Sequence, residues 1–153
     1  MRLQNNSYKM EDLYPLLLEV IESGGEFRLW PRGTSMRPLL REGKDSVALV
    51  LPDKLKKRDI CLYRRSDGAF VLHRLMKFDR SGEPVFCGDN QTRLEYGVKR
   101  EQIIARVTAV FRGEKRISVR GRLYRLYTRI YGFLPLRWLW LLPRRVAGKL
   151  KKG

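Results

Sequence analysis

From residue 27 to residue 111 the apolar residues come in short runs, each closed by turn-forming residues, and this punctuation restricts the chain to short strands. Phe27-Arg28-Leu29-Trp30 alternates as a strand does, and 46–51 is a continuous apolar run of strand length. Residues 60–64 follow a lysine-rich polar turn, and 69–78 are a longer run set up by Ser66-Asp67-Gly68. A short run at 84–87 ends at Gly88-Asp89-Asn90, and 103–111 is the last and most apolar. Six or so strands at this spacing predict a mainly β fold, an antiparallel sheet or partly closed barrel. Ahead of them, Leu13, Leu17, Val20 and Ile21 share one helical face over 10–23, and Gly24-Gly25 stop that helix. The expected organisation is an N-terminal helix (1–25), a β domain (26–113) and a basic, amphipathic helical tail (114–153).

Charge separates the tail from the rest. The net charge is +17, yet residues 112–153 hold 13 Lys and Arg against the single acid Glu114. The first 111 residues carry 20 basic and 15 acidic side chains, an ordinary balance. The excess therefore belongs to the tail and invites an anionic partner. In 120–131, Leu123, Leu126, Tyr127, Ile130 and Tyr131 fall on one face and Arg122, Arg125 and Arg129 on another. Beyond them Arg137, Trp138, Trp140, Arg144 and Arg145 mix aromatic and basic character, as an interfacial helix on an anionic membrane does. A helix docked on the protein's own sheet fits the same pattern. Nucleic acid ranks third, because the aromatics cluster instead of spreading through the basic stretch. No apolar run reaches the roughly 18 residues of a membrane span, and Met1 to Glu11 lacks the apolar core of a secretory signal. Cys61 and Cys87 lack metal-ligand spacing and read as buried thiols of a reducing compartment, with no metal or cofactor implied.

The chemistry centres on Gly33-Thr34-Ser35-Met36-Arg37-Pro38 and on His73, the chain's one histidine. Serine is a weak nucleophile without a base in hydrogen-bond reach. A neutral imidazole, with an ordinary pKa of about 6.5, can take its proton near neutral pH. Strands of one sheet can bring a turn serine and a strand histidine together. Asp89 and Glu95 are the two candidates for holding the imidazole in its working tautomer. The backbone amides of Ser35 and Thr34 are the candidate donors to an oxyanion. Met36, Pro38 and Leu72 are expected along a substrate groove.

In chain order, Gly33-Thr34-Ser35-Met36-Arg37-Pro38, Arg41-Glu42-Gly43-Lys44-Asp45, Arg58-Asp59-Ile60, Leu72-His73-Arg74 and Cys87-Gly88-Asp89-Asn90 resemble the motifs of type I signal peptidases. They are also similar to the wider superfamily that includes the self-cleaving SOS-response repressors. The resemblance covers about residues 26–111, with serine and histidine 38 positions apart. A histidine where most bacterial members have lysine makes it similar to the endoplasmic-reticulum and archaeal branch. What the resemblance implies is a mostly β fold, a Ser35 nucleophile, a His73 general base and cleavage of an extended peptide after small residues. In that branch a second acid follows Gly-Asp-Asn, here Glu95 in place of aspartate, so Asp89 and Glu95 both stay open as the orienting acid. The chain departs from the family in having Gly33 two positions before the serine, Arg58 in place of a strand-start glycine, and no N-terminal membrane anchor. The expectation is a cytoplasmic enzyme, peripheral on the membrane through its tail, acting on a leader peptide or similar substrate. Self-cleavage is disfavoured because no DNA-binding domain or linker precedes the serine. The alternative is an inactive membrane- or nucleic-acid-binding module of the same fold.

Overall fold

The structure, a computed structural model, describes residues 8–131 together with Leu136, Arg137, Leu139 and Leu141. It is mainly β, as the run pattern predicts. Helix α1 (Met10–Glu22) is followed by β1 (Phe27–Leu29), β2 (Asp45–Val50), β3 (Ile60–Arg64), β4 (Phe70–Phe78), β5 (Pro84–Cys87), β6 (Ile103–Arg112), β7 (Lys115–Ser118) and α2 (Arg122–Tyr131). The strands form one antiparallel sheet in the order β1-β2-β6-β3-β4-β5, with β7 also on β6. The sheet is open and does not close into a barrel.

β7 moves the expected border of the tail. Gly113 and Glu114 form a two-residue turn, after which Arg112 pairs with Lys115 and Ala109 with Ser118. The four residues Lys115-Arg116-Ile117-Ser118 are too polar for a run-based reading to single out. They are nevertheless the last strand of the domain.

Both faces of the sheet are covered. On one face Leu17 and Ile21 of α1 join Leu29, Val47, Leu62 and Val107; on the other lie Cys61, Tyr63, Leu75, Phe86 and Ile103. β3 supplies both, with Ile60 and Leu62 to one core and Cys61 and Tyr63 to the other. A strand buried on both faces has no polar alternate positions, which is why 60–63 reads as unbroken apolar sequence.

β4 has the same two-sidedness with polar residues. His73 pairs with Cys61 of β3 and Arg74 with Ile60. Successive side chains of a strand point to opposite faces, so His73 and Arg74 serve opposite sides of the sheet. Arg58, just ahead of β3, takes a left-handed backbone with φ of 82°. Glycine adopts that region at no steric cost, whereas an L side chain loses roughly 1–2 kcal/mol there. The absence of the strand-start glycine is thus a local strain at a turn. That turn is still used: the Arg58 carbonyl accepts a hydrogen bond from Arg74 Nη1 at 2.9 Å.

Candidate active site

Ser35 lies in a tight loop, not in a strand. Gly33 opens the loop at φ of 86°, a conformation natural to glycine. The Arg37 amide donates to the Thr34 carbonyl at 3.1 Å and the Leu40 amide to Met36 at 2.9 Å. Met36, Leu39 and Leu40 are buried and anchor the loop to the core. Downstream, the carboxylate of buried Asp45 takes two hydrogen bonds from the Arg41 guanidinium and one from its amide. The charged 41–45 segment is therefore a clasp on the loop's exit.

Ser35 and His73 line one cavity of about 230 Å³, together with Met36, Leu40, Phe70, Leu72 and Gln91 among others. Met36 and Leu72 thus stand where the sequence reading puts a groove, whereas Pro38 and Thr34 are exposed and outside that lining. No hydrogen bond joins Ser35 to His73 among the described residues. They meet through Gly88. A Cβ at that position would come within 2.6 Å of the Ser35 carbonyl oxygen and 3.1 Å of His73 Nε2. Only a residue without a side chain lets the 88–91 loop close against both. The Asn90 amide completes the contact by donating to the Ser35 carbonyl at 2.8 Å.

The other imidazole nitrogen is fixed by a relay. Tyr63 donates its hydroxyl proton to Glu95 Oε2 at 2.6 Å, and its oxygen stands 3.2 Å from His73 Nδ1. A phenol whose proton is committed to a carboxylate can only accept there. Nδ1 is therefore the protonated nitrogen, and Nε2, on the Gly88 and Ser35 side, keeps its lone pair. Glu95 is held by Arg65 in a two-pronged ion pair at 2.6 and 2.8 Å. That pair, first of all, keeps its carboxyl below the usual range, against the opposing effect of partial burial. Its direct approach to Nδ1 is 3.7 Å, too long for a hydrogen bond, so Glu95 acts on His73 through Tyr63.

Asp89 has a different place. It forms a buried two-pronged pair with Arg74 at 2.6 and 2.7 Å, and Tyr127 Oη donates to it at 2.9 Å. Of the two acids, the one bonded into the imidazole relay is Glu95. Asp89 belongs to the far side of the sheet with Arg74. Tyr63 and Arg65 escape a sequence reading, because nothing local ties a strand tyrosine to a histidine ten residues on. The signal is the β3–β4 register, which only pairing reveals.

Burial, above all, pulls the His73 pKa down from 6.5 to about 4, with Glu95 working the other way. The neutral imidazole is the form that can accept a proton, so a reaction using it as base should run at full rate above that value. The rate should fall as pH drops through about 4. A pH profile of kcat/KM is expected to stay flat through the ordinary histidine range, and an acidic limb near 6.5 would contradict this environment for His73.

One face of the tail helix α2 docks on the domain. Tyr124 and Thr128 of α2 are buried, and Tyr124 Oη accepts from Arg74 Nη1 at 3.2 Å. Arg137, expected on an anionic surface, is 1% exposed and bonded to the protein's own backbone. Docking on the domain wins on this face because the tyrosine tips and the guanidinium find partners around the buried Arg74–Asp89 pair. The opposite face does point outward: Leu123 is 84% and Leu126 57% exposed, with Ile130 and the arginines 122, 125 and 129 also exposed. Trp138, Trp140, Arg144 and Arg145 lie outside the described residues. Cys61 and Cys87 are free and buried, and burial raises both thiols above their ordinary pKa. Among the described residues no three His, Cys, Asp or Glu side chains gather as a metal site needs, and no helix is long and apolar enough to cross a membrane.

No family model matches the chain, and neither the curated proteins nor the solved structures include a significant match.

Proposed function

We propose that the protein is a serine endopeptidase, with Ser35 as nucleophile, His73 as general base and Glu95 acting through Tyr63 to orient and stabilise the imidazole. The observation that carries this reading is that Ser35 and His73 line one cavity while the Tyr63–Glu95 relay occupies His73 Nδ1, which leaves Nε2 as the acceptor. The Ser35 hydroxyl attacks the scissile carbonyl carbon while its proton passes to Nε2. The resulting imidazolium is stabilised by the Tyr63–Glu95 relay and returns the proton to the leaving amine. Water then hydrolyses the acyl-enzyme by the same base. The Ser35 amide, at the cavity, is the donor proposed for the oxyanion, while Thr34 lies outside the lining. The contact between serine and imidazole is one that forms when substrate fills the cavity, since catalytic hydrogen bonds tighten in the complex.

The sheet supports an extended substrate. β5 pairs with β4 only from Arg74 onward, so residues 70–73 have one edge without a strand partner among the described residues. Phe70, Val71, Leu72 and His73 also line the cavity. A peptide added along that edge would receive backbone hydrogen bonds and lie across Ser35. A fluorophosphonate probe tests the reading: one adduct per chain, on Ser35 by peptide mapping, is the expected result. Absence of any adduct, or its location on another serine, would count against it.

The same proposal sets the enzyme on an anionic membrane surface through the outward face of α2. An apolar stripe of Leu123, Leu126 and Ile130, flanked by arginines, matches a lipid headgroup layer in both polarity and charge. Co-sedimentation with phosphatidylserine vesicles should fall by about tenfold or more for Leu123→Glu with Leu126→Glu, given the apolar area removed and the charge added. Retention of DNA by the chain with no vesicle binding would favour the nucleic-acid alternative.

A further inference from the structure

The backbone of the 88–91 loop is held from behind by a side chain that the sequence places in the tail. Arg137 Nη1 donates to the Gly88 carbonyl at 2.8 Å and to the Gln91 carbonyl at 3.2 Å. Its Nη2 stands 3.6 Å from Asp89 Oδ1 and 3.7 Å from the Met76 sulfur. Tyr127 of α2 grips the same loop by donating to Asp89 at 2.9 Å. On its front this loop presents Gly88 to His73 Nε2, the Asn90 amide to the Ser35 carbonyl, and Gln91 to the cavity. One guanidinium therefore fixes the two ends of a four-residue loop whose other side fixes the proposed catalytic pair.

We infer that Arg137 is a positioning residue for the cleft, holding the 88–91 loop against Ser35 and His73, so that this residue of the C-terminal segment is part of the site. This rests on the peptidase reading for its catalytic consequence and on the hydrogen bonds alone for its mechanical one. A charged donor spanning two carbonyls resists the loop's opening more strongly than neutral bonds do. The hydrogen bonds from Arg137 to the Gly88 and Gln91 carbonyls fall on the loop and not on residues 70–73 of β4, where the peptide is proposed to lie. Removing the guanidinium should accordingly loosen the serine–imidazole geometry while leaving peptide affinity in place.

The experiment uses the full chain with Arg137→Ala and Arg137→Lys. Three readouts are taken: hydrogen exchange of the Asn90 amide, the rate of Ser35 acylation by a fluorophosphonate, and binding of an extended peptidyl ligand that is not cleaved. For Arg137→Ala, exchange should quicken and acylation slow by about tenfold or more each, the scale of one charge-assisted hydrogen bond, with peptide affinity unchanged. Arg137→Lys, which restores the charge and one donor, should fall between. A merely structural role would lower the melting temperature without separating acylation from binding. Should Arg137→Ala fail to fold, Arg137→Lys and Tyr127→Phe carry the same readouts. Asn90 exchange equal to that of the wild type would overturn the brace, and faster exchange with undiminished acylation would overturn the positioning role. If the wild-type chain is never acylated, the peptidase reading fails, while the exchange rates still decide whether Arg137 holds the loop.

Discussion

Ser35→Ala is expected to lower cleavage of a susceptible peptide by about 10⁴-fold or more, and His73→Ala by a similar factor, with peptide binding retained in both. The two effects should not add. A nucleophile and its base act as one unit, so the double variant is expected to be no slower than either single one. This is the sharper part of the test, because two unrelated residues that each merely damaged the cavity would show losses that multiply. Both substitutions should fold: Ser35 is half-buried, and an alanine there keeps the loop clasped by Met36, Leu40 and Asp45. His73 is 4% exposed and packs beside Cys61, so His73→Gln serves as a second variant that keeps volume and a hydrogen bond to Tyr63. The quantity to measure is single-turnover acylation together with a melting curve. Cleavage at the wild-type rate by folded Ser35→Ala would end the peptidase proposal.

Strand content was legible because the strands buried on both faces, above all 60–63, leave no other reading for their composition. β7 was not, since an exposed edge strand of lysine, arginine and serine carries no apolar signal and is held by pairing with β6 and by the Arg116–Glu26 ion pair. Ser35 and His73 stand out in sequence by type and neighbours. Tyr63, Arg65 and Arg137 do not, because each acquires its role from a partner 10 to 49 positions away. The tail shows the same limit. Its helical periodicity is plain, but which face docks is decided by a buried ion pair in the domain, not by the tail. The leucines, the more hydrophobic residues, are left outside because Tyr124 and Tyr127 can satisfy Arg74 and Asp89 and leucine cannot.

Separating the two acids gives the largest stability effect. Asp89→Asn keeps the shape of the side chain but leaves the Arg74 guanidinium, which has no solvent exposure, without its counter-charge. Breaking one partner of a buried pair costs about 3–5 kcal/mol, and here Tyr127 loses its anionic acceptor as well. Asp89→Asn should therefore unfold at markedly lower urea concentration. Glu95→Gln is a different experiment. Glu95 is 23% exposed, and its ion pair with a 40% exposed Arg65 is partly screened, so its removal should change stability by about 1 kcal/mol or less. Its effect should appear in the rate: an imidazolium at His73 loses the negative charge behind Tyr63, and kcat should fall by about a hundredfold, within the range of general acid–base contributions. The two variants thus exchange phenotypes, one costing the fold and the other the reaction. A stable, inactive Asp89→Asn beside a fully active Glu95→Gln would reverse the assignment and return Asp89 to the imidazole. The geometry argues the other way for a physical reason: the Asp89 carboxylate takes three hydrogen bonds from Arg74 and Tyr127 on the far face of β4, and among the described residues none joins it to His73.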